Sequence, residues 1–528
     1  MSELLPYQFF LLAISLLLCL ISIISFHEKR NNTAIVALLL SAAGIRFFMI
    51  SYYPFLNDWD ERFHALVAKN MIDHPFKPML FANPVLPFDY KMWCCNHIWI
   101  HKQPLFLWQM ALSMNLFGVN EVALRLPSAM LGTIQVFLIY RIGKLLKNNQ
   151  TGYYAALFFA VAFYPLQLIA GVADMDHIRV AFGFYVCASI WALSEYFRTK
   201  RIVWIVMIGI CSGAAVLNMW LAGLIVYGAW ALVTLHQSNY KWTHLVNENR
   251  IEIIRITGSF VIALIVFVPW QVYTNYAFPL ESAYEAQWNE RHITEALEDH
   301  AGPWYYYLIH LPLQFGKLFT FIIPFAIASL FVKPRANTPL LIVLLFCMLV
   351  PYLFFSLVVQ TRMPSYVYMS HFVVWIALGS LFSLAMEKFY AFNLNKYYRY
   401  AVSFLLFAIC LTSVLKINAT ISSELLSAQV PDLNKFLDKK NHNTEIFKKL
   451  NEIVPDGYVV FNCNSFENVE AMFYSDRTAY HWYPTEMQID SLIRSGHKIA
   501  VFDSHQEYVL PHYLKTNPEV MIIDAKLY

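Results

Sequence analysis

The chain has 528 residues and a formal net charge of +3; hydrophobic residues make up 58% of it and charged residues only 14%. Soluble globular domains contain about 25% charged residues, so the composition excludes an ordinary soluble protein and predicts an integral membrane protein. Aromatic residues reach 17%, which is typical of a chain with many membrane–water boundaries. The sequence contains no basic tract that would indicate a nucleic-acid partner.

Long apolar runs predict about twelve membrane-spanning helices, because a bilayer core of about 30 Å needs roughly 20 apolar residues per helix. The first run is followed by His27-Glu28-Lys29-Arg30 and not by a small-residue cleavage pattern, so it predicts a span and not a cleaved signal peptide. The predicted spans lie at 7–26, 34–50, 122–140, 152–170, 177–195, 202–218, 221–235, 256–272, 311–331, 339–358, 366–386 and 401–416.

The distribution of basic residues predicts the orientation of these spans. Short loops rich in Lys and Arg stay on the cytoplasmic side of a membrane, and such loops occur here at every second turn, beginning with Lys29-Arg30. In a bacterium the opposite, outer face is the periplasmic side of the inner membrane. The segments predicted on that face are both termini, the first large loop at 51–121, the turn at 171–179, the loop at 273–310 and the turn at 359–365.

The composition changes after Lys416, where the apolar runs give way to a polar, mixed sequence. This change predicts a transmembrane domain at 1–416 and a small soluble periplasmic domain at 417–528. Strand-like runs alternate with helical patterns in the second region, which indicates an α/β fold. The predicted strands are 458–461, 498–502 and 520–523, and the helical patterns are 443–453 and 486–495.

Five of the eight cysteines fall inside apolar runs, where a thiol is a small hydrophobic group. Only Cys94, Cys95 and Cys463 are expected near water. Cys94 and Cys95 precede His97 and His101, and thiolate and imidazole groups are zinc ligands. The spacing matches no common zinc motif, so packing, or a disulfide from one of the pair to Cys463, is the preferred interpretation, and no metal site is assigned.

Acidic residues follow the second predicted span, at Asp58, Asp60 and Glu61. One interpretation is that they begin a helix at 62–72, since acidic side chains stabilise a helix N-terminus. Asp174 and Asp176 stand in the same way before the fifth span. The other interpretation is a functional site, because an ionisable residue at a membrane boundary is costly unless it is paired or used.

Cationic side chains gather in the same outer loops. Lys102 comes directly before an apolar helix, where it either extends along that surface towards water or binds phosphate as a compact charge. Later outer loops add Arg291, His300 and Arg362. Because these loops share one face with the acidic residues, the pattern predicts a site for an anionic, lipid-linked substrate.

Several motifs in the outer loops and span ends resemble those of a known family. They are Asp60-Glu61, Lys102-Gln103-Pro104-Leu105, the Phe-Gly-Val-Asn-Glu-Val-Ala-Leu-Arg-Leu-Pro-Ser segment at 117–128, the His-Ala-Gly-Pro-Trp-Tyr-Tyr-Tyr segment at 300–307 and Arg362-Met363-Pro364-Ser365-Tyr366. The chain resembles the GT-C glycosyltransferases of the dolichyl-phosphate-mannose–protein mannosyltransferase group. Within it, the chain is most similar to the bacterial transferases that add aminoarabinose to lipid A. The resemblance extends over residues 50–390, and Gln103 departs from it by replacing a family proline.

The resemblance implies a polytopic α-helical GT-C fold with amphipathic helices in its outer loops, and it implies roles for individual residues. Asp60 is the implied catalytic carboxylate, and the assisting acids are Asp176 or Asp174, together with Glu61. The implied ligands of the donor phosphate are Lys102, Arg362 and Arg291, and the implied further substrate contacts are His101, Tyr366 and His300.

The implied activity is transfer of a sugar from a polyprenyl-phosphate-linked monosaccharide to an acceptor on the periplasmic face. Lipid A, a protein hydroxyl and a surface glycan remain open as acceptors, and the need for a divalent cation remains open. Membrane lipids are the surrounding partners. The alternative from another class is a transporter or flippase for lipid-linked sugars; such proteins commonly have internal repeats and charged groups near the membrane midplane, neither of which is visible here.

Overall fold

The computed structural model describes residues 5–58, 60–172, 177–219, 221–241, 248–332, 337–391, 396–420, 433–503 and 510–528. Within these ranges the protein is mostly helical and contains one small parallel sheet close to its C-terminal end. The predicted polytopic α-helical architecture is therefore confirmed in outline.

The first half of the chain is entirely helical in its regular structure among the described residues. Its helices are α1 (Pro6–His27), α2 (Asn31–Tyr52), α3 (Asp60–Asn70), α4 (Pro104–Phe117), α5 (Glu121–Leu146), α6 (Asn149–Ala160), α7 (Phe163–Ile169), α8 (Ile178–Thr199), α9 (Ile202–Val216) and α10 (Ile225–Gln237), with a 3₁₀ turn at Leu221–Leu224 before α10. The local sequence explains where two of these helices begin. Pro104 occupies the first turn of α4, where its missing N–H costs no hydrogen bond. The Asn120 side chain accepts a hydrogen bond from the Ala123 amide at the start of α5.

The second half continues with helices and ends in an α/β region. Its helices are α11 (Arg250–Ala277), α12 (Pro279–Thr294), α13 (Tyr306–Ile309), α14 (Leu311–Phe315), α15 (Lys317–Ser329), α16 (Thr338–Leu357), α17 (His371–Ala391), α18 (Lys396–Thr420), α19 (Leu433–Lys448), α20 (Leu450–Ile453), α21 (Glu467–Tyr474), α22 (Glu486–Arg494) and α23 (His512–Thr516), with a 3₁₀ turn at Pro364–Ser370 before α17. Its strands are β1 (Tyr458–Phe461), β2 (Lys498–Phe502) and β3 (Val520–Ile523).

Seven helices of the described chain are long and apolar enough to cross a membrane. An eighth span is available if α6 and α7, which meet at a bend of 52°, cross together. The remaining apolar helices are shorter: Ile202–Val216, Leu221–Gln237, Lys317–Ser329 and Tyr400–Thr412. The protein is thus a multi-span membrane protein, and each of these helices overlaps one of the predicted spans.

The first large loop contains two helices. α3 begins at Asp60, two residues earlier than predicted, so that Asp60 and Glu61 occupy its first turn. Acidic side chains there are favourable because the amide groups of a helix N-terminus are unpaired and partly positive. Both interpretations of these acids therefore remain compatible with their position.

The three strands form one parallel sheet in the order β1-β2-β3. Val459 pairs with Ile499, and Val501 pairs with Ile522, which sets the register of the two ladders. Helices α19, α21 and α22 lie between or beside these strands in the chain. The strands coincide with the three that were predicted, whereas the helix predicted at 443–453 is two helices, α19 and α20.

Two hydrophobic cores organise the molecule. One lies inside the membrane bundle and includes buried side chains of α1, α2, α5, α6, α8 and α17. The other is continuous from the first outer loop into the sheet, since Phe63 and Leu107 belong to the same cluster as Val459 and Phe461. The C-terminal region is consequently packed onto the loop that contains Asp60.

Glycines allow the closest helix packing in the bundle. A Cβ atom on Gly379 of α17 would lie 2.5 Å from the amide nitrogen of Ala155 and 2.5 Å from the carbonyl oxygen of Thr151, both in α6. Because the obstructing atoms are backbone atoms, no side-chain rotation can relieve the contact. Small residues have this role in many membrane helix pairs, where they let two backbones approach closely.

We expect Gly379→Ala to lower the thermal unfolding temperature of the purified protein in detergent, since overpacking costs about 1–3 kcal/mol. Gly258→Ala is the matched control, because Gly258 also lies in a membrane helix and a Cβ there meets nothing within 4 Å. The control should be neutral or slightly stabilising, as Ala is the better helix former. Equal destabilisation by both changes would contradict the close packing of α6 and α17.

Candidate active site

A fully buried carboxylate lies where the first outer loop leaves the membrane bundle. Glu61 has 0% exposure. Its Oε1 accepts hydrogen bonds from Arg125 Nε at 2.6 Å and pairs with His177 Nε2 at 2.8 Å. Its Oε2 accepts from Arg125 Nη2 at 3.1 Å, and from the backbone and side-chain nitrogens of Asn57 at 2.6 and 2.7 Å. Both oxygens of Glu61 are therefore occupied by protein groups.

Arg125 completes this arrangement by holding the chain that leads into the loop. Its Nη1 donates to the carbonyl oxygen of Tyr53 at 2.8 Å, and its Nη2 donates to that of Phe55 at 2.7 Å. Burial by itself would raise the pKa of Glu61, but the charges of Arg125 and His177 and their hydrogen bonds outweigh it and hold that pKa well below its usual range. Glu61 is thus an anion that fixes geometry, with no free oxygen for a substrate.

The predicted catalytic residue Asp60 is the neighbour of this buried anion. It is the first residue of α3 and is half-buried. The predicted assisting residues Asp174 and Asp176 lie outside the described residues. His177, which is described, contacts Glu61, so the start of α8 lies directly against the segment that contains Asp60.

The same end of α8 also contacts a group of cationic and tyrosine side chains, which includes Arg179, Arg362 and Tyr366 and is called the cation cluster below. The guanidinium of Arg179 lies 4.6 Å from the centroid of the Tyr366 ring, and its Nη1 is 2.7 Å from Met219 Sδ. Arg362 is 7% exposed; its amide donates to the carbonyl oxygen of His300 at 2.8 Å. The predicted residues Arg362, His300 and Tyr366 are therefore brought together, with Arg179 as an addition that the sequence reasoning missed.

Several buried polar atoms in this region have no hydrogen-bond partner in the described part of the chain. They include Arg362 Nε, the Tyr307 hydroxyl and His292 Nδ1. Burial raises the pKa of Tyr307 further above its usual value, so the hydroxyl keeps its proton. Buried polar atoms in folded proteins are nearly always paired. Unpaired atoms beside buried arginines indicate a site that a polar ligand completes.

Histidines and Lys102 form the adjoining part of the cluster. Burial, and then the nearby charges of Lys102, His101 and His300, lower the pKa of His292 to about 4. His101 Nδ1 is 2.9 Å from Glu285 Oε2. The predicted residues Lys102, His101 and His300 thus all lie near His292.

Arg291 has a different environment from the other predicted phosphate ligands. It is exposed on α12, where its Nη2 donates to Glu295 Oε2 at 2.8 Å, and its guanidinium lies 5.0 Å from the centre of the Trp288 ring. Its helical neighbour His292 belongs to the cation cluster, whereas Arg291 already has an anionic partner at the surface. Its role as a phosphate ligand stays a prediction.

The Cys-Cys-His-His pattern does not converge on one point. Cys94 Sγ is 3.1 Å from Cys95 Sγ, while His97 Nδ1 bonds to the carbonyl oxygen of Phe81 at 2.6 Å. Across the described ranges no group of three or more His, Cys, Asp and Glu side chains is placed to hold a metal ion. Cys463 is buried in the second core, and all eight cysteines, each in a described range, are free thiols. The disulfide suggested between Cys463 and one of the pair was therefore wrong for this structure.

A second charged network ties the C-terminal region to the residues just before Asp60. Lys440 Nζ lies 3.1 Å from Asp58 Oδ1 and 2.6 Å from Glu470 Oε1. Arg62 pairs with Asp58 and also lies 3.3 Å from Glu470. Burial would raise the pKa of Asp58, but Lys440 and Arg62 outweigh it and lower that pKa. The loop segment around Asp60 is held by charges on both sides.

Comparison with known proteins finds similarity to glycosyltransferases. Residues 101–273 match the family model described as dolichyl-phosphate-mannose-protein mannosyltransferase. The chain is 27% identical over 275 residues to an undecaprenyl phosphate-alpha-4-amino-4-deoxy-L-arabinose arabinosyl transferase of Pseudomonas fluorescens. That match covers 49% of this chain and 46% of the relative, so it extends over less than half of the relative's length.

Solved structures share the fold over most of the chain. The crystal structure of ArnT from Cupriavidus metallidurans bound to undecaprenyl phosphate matches with a TM-score of 0.59 and 15% identity, covering 93% of this chain and 90% of that one. The apo oligosaccharyltransferase of Archaeoglobus fulgidus matches with a TM-score of 0.55 and 14% identity, covering 86% of this chain and 65% of that one. The resemblance to GT-C glycosyltransferases related to the lipid A aminoarabinose transferases is confirmed.

We expect Glu61→Gln to destabilise the protein strongly, because removing one partner of a buried ion pair costs about 3–5 kcal/mol. A carboxylate with a lowered pKa contributes its full stability above its unfolded value of about 4.3, and that contribution is lost progressively as the pH falls from there towards the lowered folded value. The thermal unfolding temperature in detergent should therefore fall less steeply in the variant than in the wild type as the pH is lowered below about 4.3.

Glu295→Gln is the matched control, since Glu295 forms an exposed pair with Arg291. It should leave the unfolding temperature and its pH dependence almost unchanged. A fully stable Glu61→Gln protein would show that the buried network does not hold the loop.

Proposed function

We propose that the protein is an integral-membrane glycosyltransferase that moves a sugar from a polyprenyl-phosphate-linked monosaccharide to an acceptor at the periplasmic face of a bacterial inner membrane. The observation behind this proposal is the start of α8, from its N-cap His177 to Arg179. There His177 contacts the Glu61 network beside Asp60, while Arg179 contacts the cluster that contains Tyr366 and Arg362. A carboxylate and an anion-binding cluster are thereby joined through a single helical turn.

The chemistry of such a donor fits these groups. In the transfer, the bond between the sugar anomeric carbon and the phosphate oxygen breaks, and a bond from that carbon to an acceptor oxygen forms. The leaving group is a lipid phosphate that gains negative charge, so preorganised cations stabilise the transition state. Arg362, Lys102 and Arg179 are the residues proposed for this role.

Asp60 is the proposed catalytic residue. With a hydroxyl acceptor it would take the acceptor proton as general base. With a phosphate acceptor no proton has to be removed, and Asp60 would position the acceptor instead. Glu61, whose oxygens are both engaged, would act as a positioning residue for Asp60; the assisting role of Asp174 or Asp176 stays a proposal from the family resemblance.

The relatives support a polyprenyl phosphate as the lipid of the donor. The Pseudomonas relative is named for an undecaprenyl phosphate sugar, and the Cupriavidus structure contains undecaprenyl phosphate. A lipid such as lipid A or a protein is the proposed acceptor class. The relatives and structures described above are transferases, which gives no support to the alternative of a flippase.

The membrane arrangement that accompanies this function has twelve spans. Seven long helices, the bent pair α6–α7 and the four shorter apolar helices supply them. The alternation of basic loops places Asp60, Lys102 and Arg362 on the periplasmic side. The region 417–528 would lie on the same side, against the first large loop.

The direct test is transfer by the purified protein from a radiolabelled pool of polyprenyl-phosphate sugars, with a total membrane fraction as acceptor. We expect Asp60→Asn to reduce transfer by about 10²–10⁴-fold, the usual contribution of a general base, while binding of the donor is retained. Asp73→Asn is the control, because Asp73 is an exposed acid of the same loop. Binding of the donor without transfer by wild type and Asp60→Asn alike would refute the transferase and favour the flippase.

A second prediction separates Arg362 from Arg291, the two arginines that the family resemblance implied as ligands of the donor phosphate. Arg362→Met should weaken binding of undecaprenyl phosphate about tenfold or more, because a hydrogen bond to a charged group contributes about 1.5–3 kcal/mol. Arg291→Met should have little effect, since Arg291 is exposed and paired with Glu295. Binding is measured by the ligand-induced rise in thermal unfolding temperature. A larger loss for Arg291→Met would return Arg291 to the phosphate site and remove Arg362 from it.

A further inference from the structure

Cys94 and Cys95 differ from the other cysteines in both exposure and spacing. Both are half-buried, whereas the other six thiols are buried. Their sulfur atoms are 3.1 Å apart, and the sulfurs of a disulfide are about 2.0 Å apart. The sulfur spacing thus differs from a bond by about 1 Å, and because adjacent Cα atoms are only about 3.8 Å apart, closing the bond would also require the local backbone to adjust.

The two thiols are also chemically distinct. The hydrogen bond between the two thiols lowers the pKa of Cys94, and the same contact, followed by burial, raises the pKa of Cys95. The thiolate is the form of cysteine that attacks disulfides and metals. Cys94 is therefore assigned the first, attacking step, and Cys95 the second.

We propose that Cys94 and Cys95 form a thiol–disulfide exchange site that accepts a small disulfide as its oxidant and closes to a Cys94–Cys95 disulfide. In the first step the Cys94 thiolate attacks one sulfur of the oxidant, and the other sulfur leaves as a thiolate. In the second step Cys95 loses its proton and attacks Cys94 Sγ, which releases the remaining half of the oxidant. The two cysteines lose two electrons in total, and the oxidant becomes two thiols.

The surroundings connect this site to both halves of the candidate active site. Trp93, the residue before the pair, lies in contact with Phe63 of α3 at a ring distance of 4.7 Å. Its other neighbour is His101, at 5.8 Å in a stacked arrangement. The Trp93 carbonyl oxygen accepts the Trp99 indole hydrogen bond at 2.8 Å. Trp93 is thus held between the Asp60 helix and the cation cluster.

A disulfide between neighbouring residues closes a small ring that includes the peptide bond between them, so it constrains the backbone that positions Trp93. Oxidation is therefore expected to change the contact of Trp93 with His101, whose imidazole pairs with Glu285. This regulatory consequence rests on the proposed function, because it concerns binding of the donor lipid. The proposed periplasmic location of the first outer loop would also expose the two cysteines to an oxidising compartment.

The test of the chemistry uses the purified full-length protein in detergent, reduced and then exposed to oxidised glutathione. We expect the peptide that contains both cysteines to lose two hydrogens in mass spectrometry. Cys95→Ser should instead stop at a glutathione adduct on Cys94, and Cys94→Ser should react slowly. Cys463→Ser is the control and should behave as the wild type, since Cys463 is buried. Two unreacted thiols, or separate adducts on both, would overturn the exchange site.

The test of the regulatory consequence measures binding of undecaprenyl phosphate by the oxidised and the reduced protein. We expect at least a threefold difference in affinity, a factor that corresponds to about 0.65 kcal/mol, and no difference in the Cys94→Ser/Cys95→Ser double variant. Disulfide formation with unchanged affinity would overturn the regulatory link. Because neither measurement depends on sugar transfer, failure of the transferase assay would be distinguishable from failure of this proposal.

Discussion

The buried Glu61–Arg125 pair is the interaction on which the arrangement of the outer face depends. It joins the end of α2, the start of α3, the second turn of α5 and, through His177, the start of α8. Burying a carboxylate is costly unless its oxygens are all hydrogen-bonded, and here protein groups provide that pairing. Such a pair is weak evidence for added stability, yet breaking it is expensive. Its effect is to allow few alternative positions for the neighbouring Asp60.

The opposite side of the Asp60 segment is fixed by the C-terminal region. Lys440 bridges Asp58 and Glu470, and Lys69 donates to the carbonyl oxygens of Met472 and Ser475 at the end of α21. A cation at a helix C-terminus is favourable because the last carbonyl groups are unpaired. Together with the shared hydrophobic core, these contacts make the first loop and the C-terminal sheet one packed unit. The loop is thus supported on both sides instead of extending freely from the membrane.

Between these supports, the candidate site combines a carboxylate with cations that already crowd one another. The low pKa of His292 expresses that crowding, since burial and the positive neighbours both disfavour its protonation. An anion bound near these groups would favour their protonated forms. The unpaired atoms of Arg362 and Tyr307 are in the same region. The low pKa of His292 and the unpaired buried atoms are therefore two separate observations on the same region.

The sequence by itself determined those features that depend only on residues close together along the chain. Membrane helices satisfy their own backbone hydrogen bonds and need a fixed apolar length, so the runs around α1, α2 and α16 could be located directly. Strands β1, β2 and β3 were visible for the same local reason. The motif at 362–366 also identified Arg362 and Tyr366, two residues of the cation cluster.

Only the tertiary structure decided how distant residues pair. Arg125 lay in a recognised segment but was given no role, because nothing near it in the sequence indicates a partner 64 positions earlier. Arg179 was missed for the same reason, since its contact is with Tyr366. Glu61 was given an assisting role beside Asp60, and Arg291 was given a phosphate-binding role while its neighbour His292 was given none. Adjacent residues of a helix face different directions, and only the surrounding elements determine which side chain is engaged in an ion pair and which faces the site.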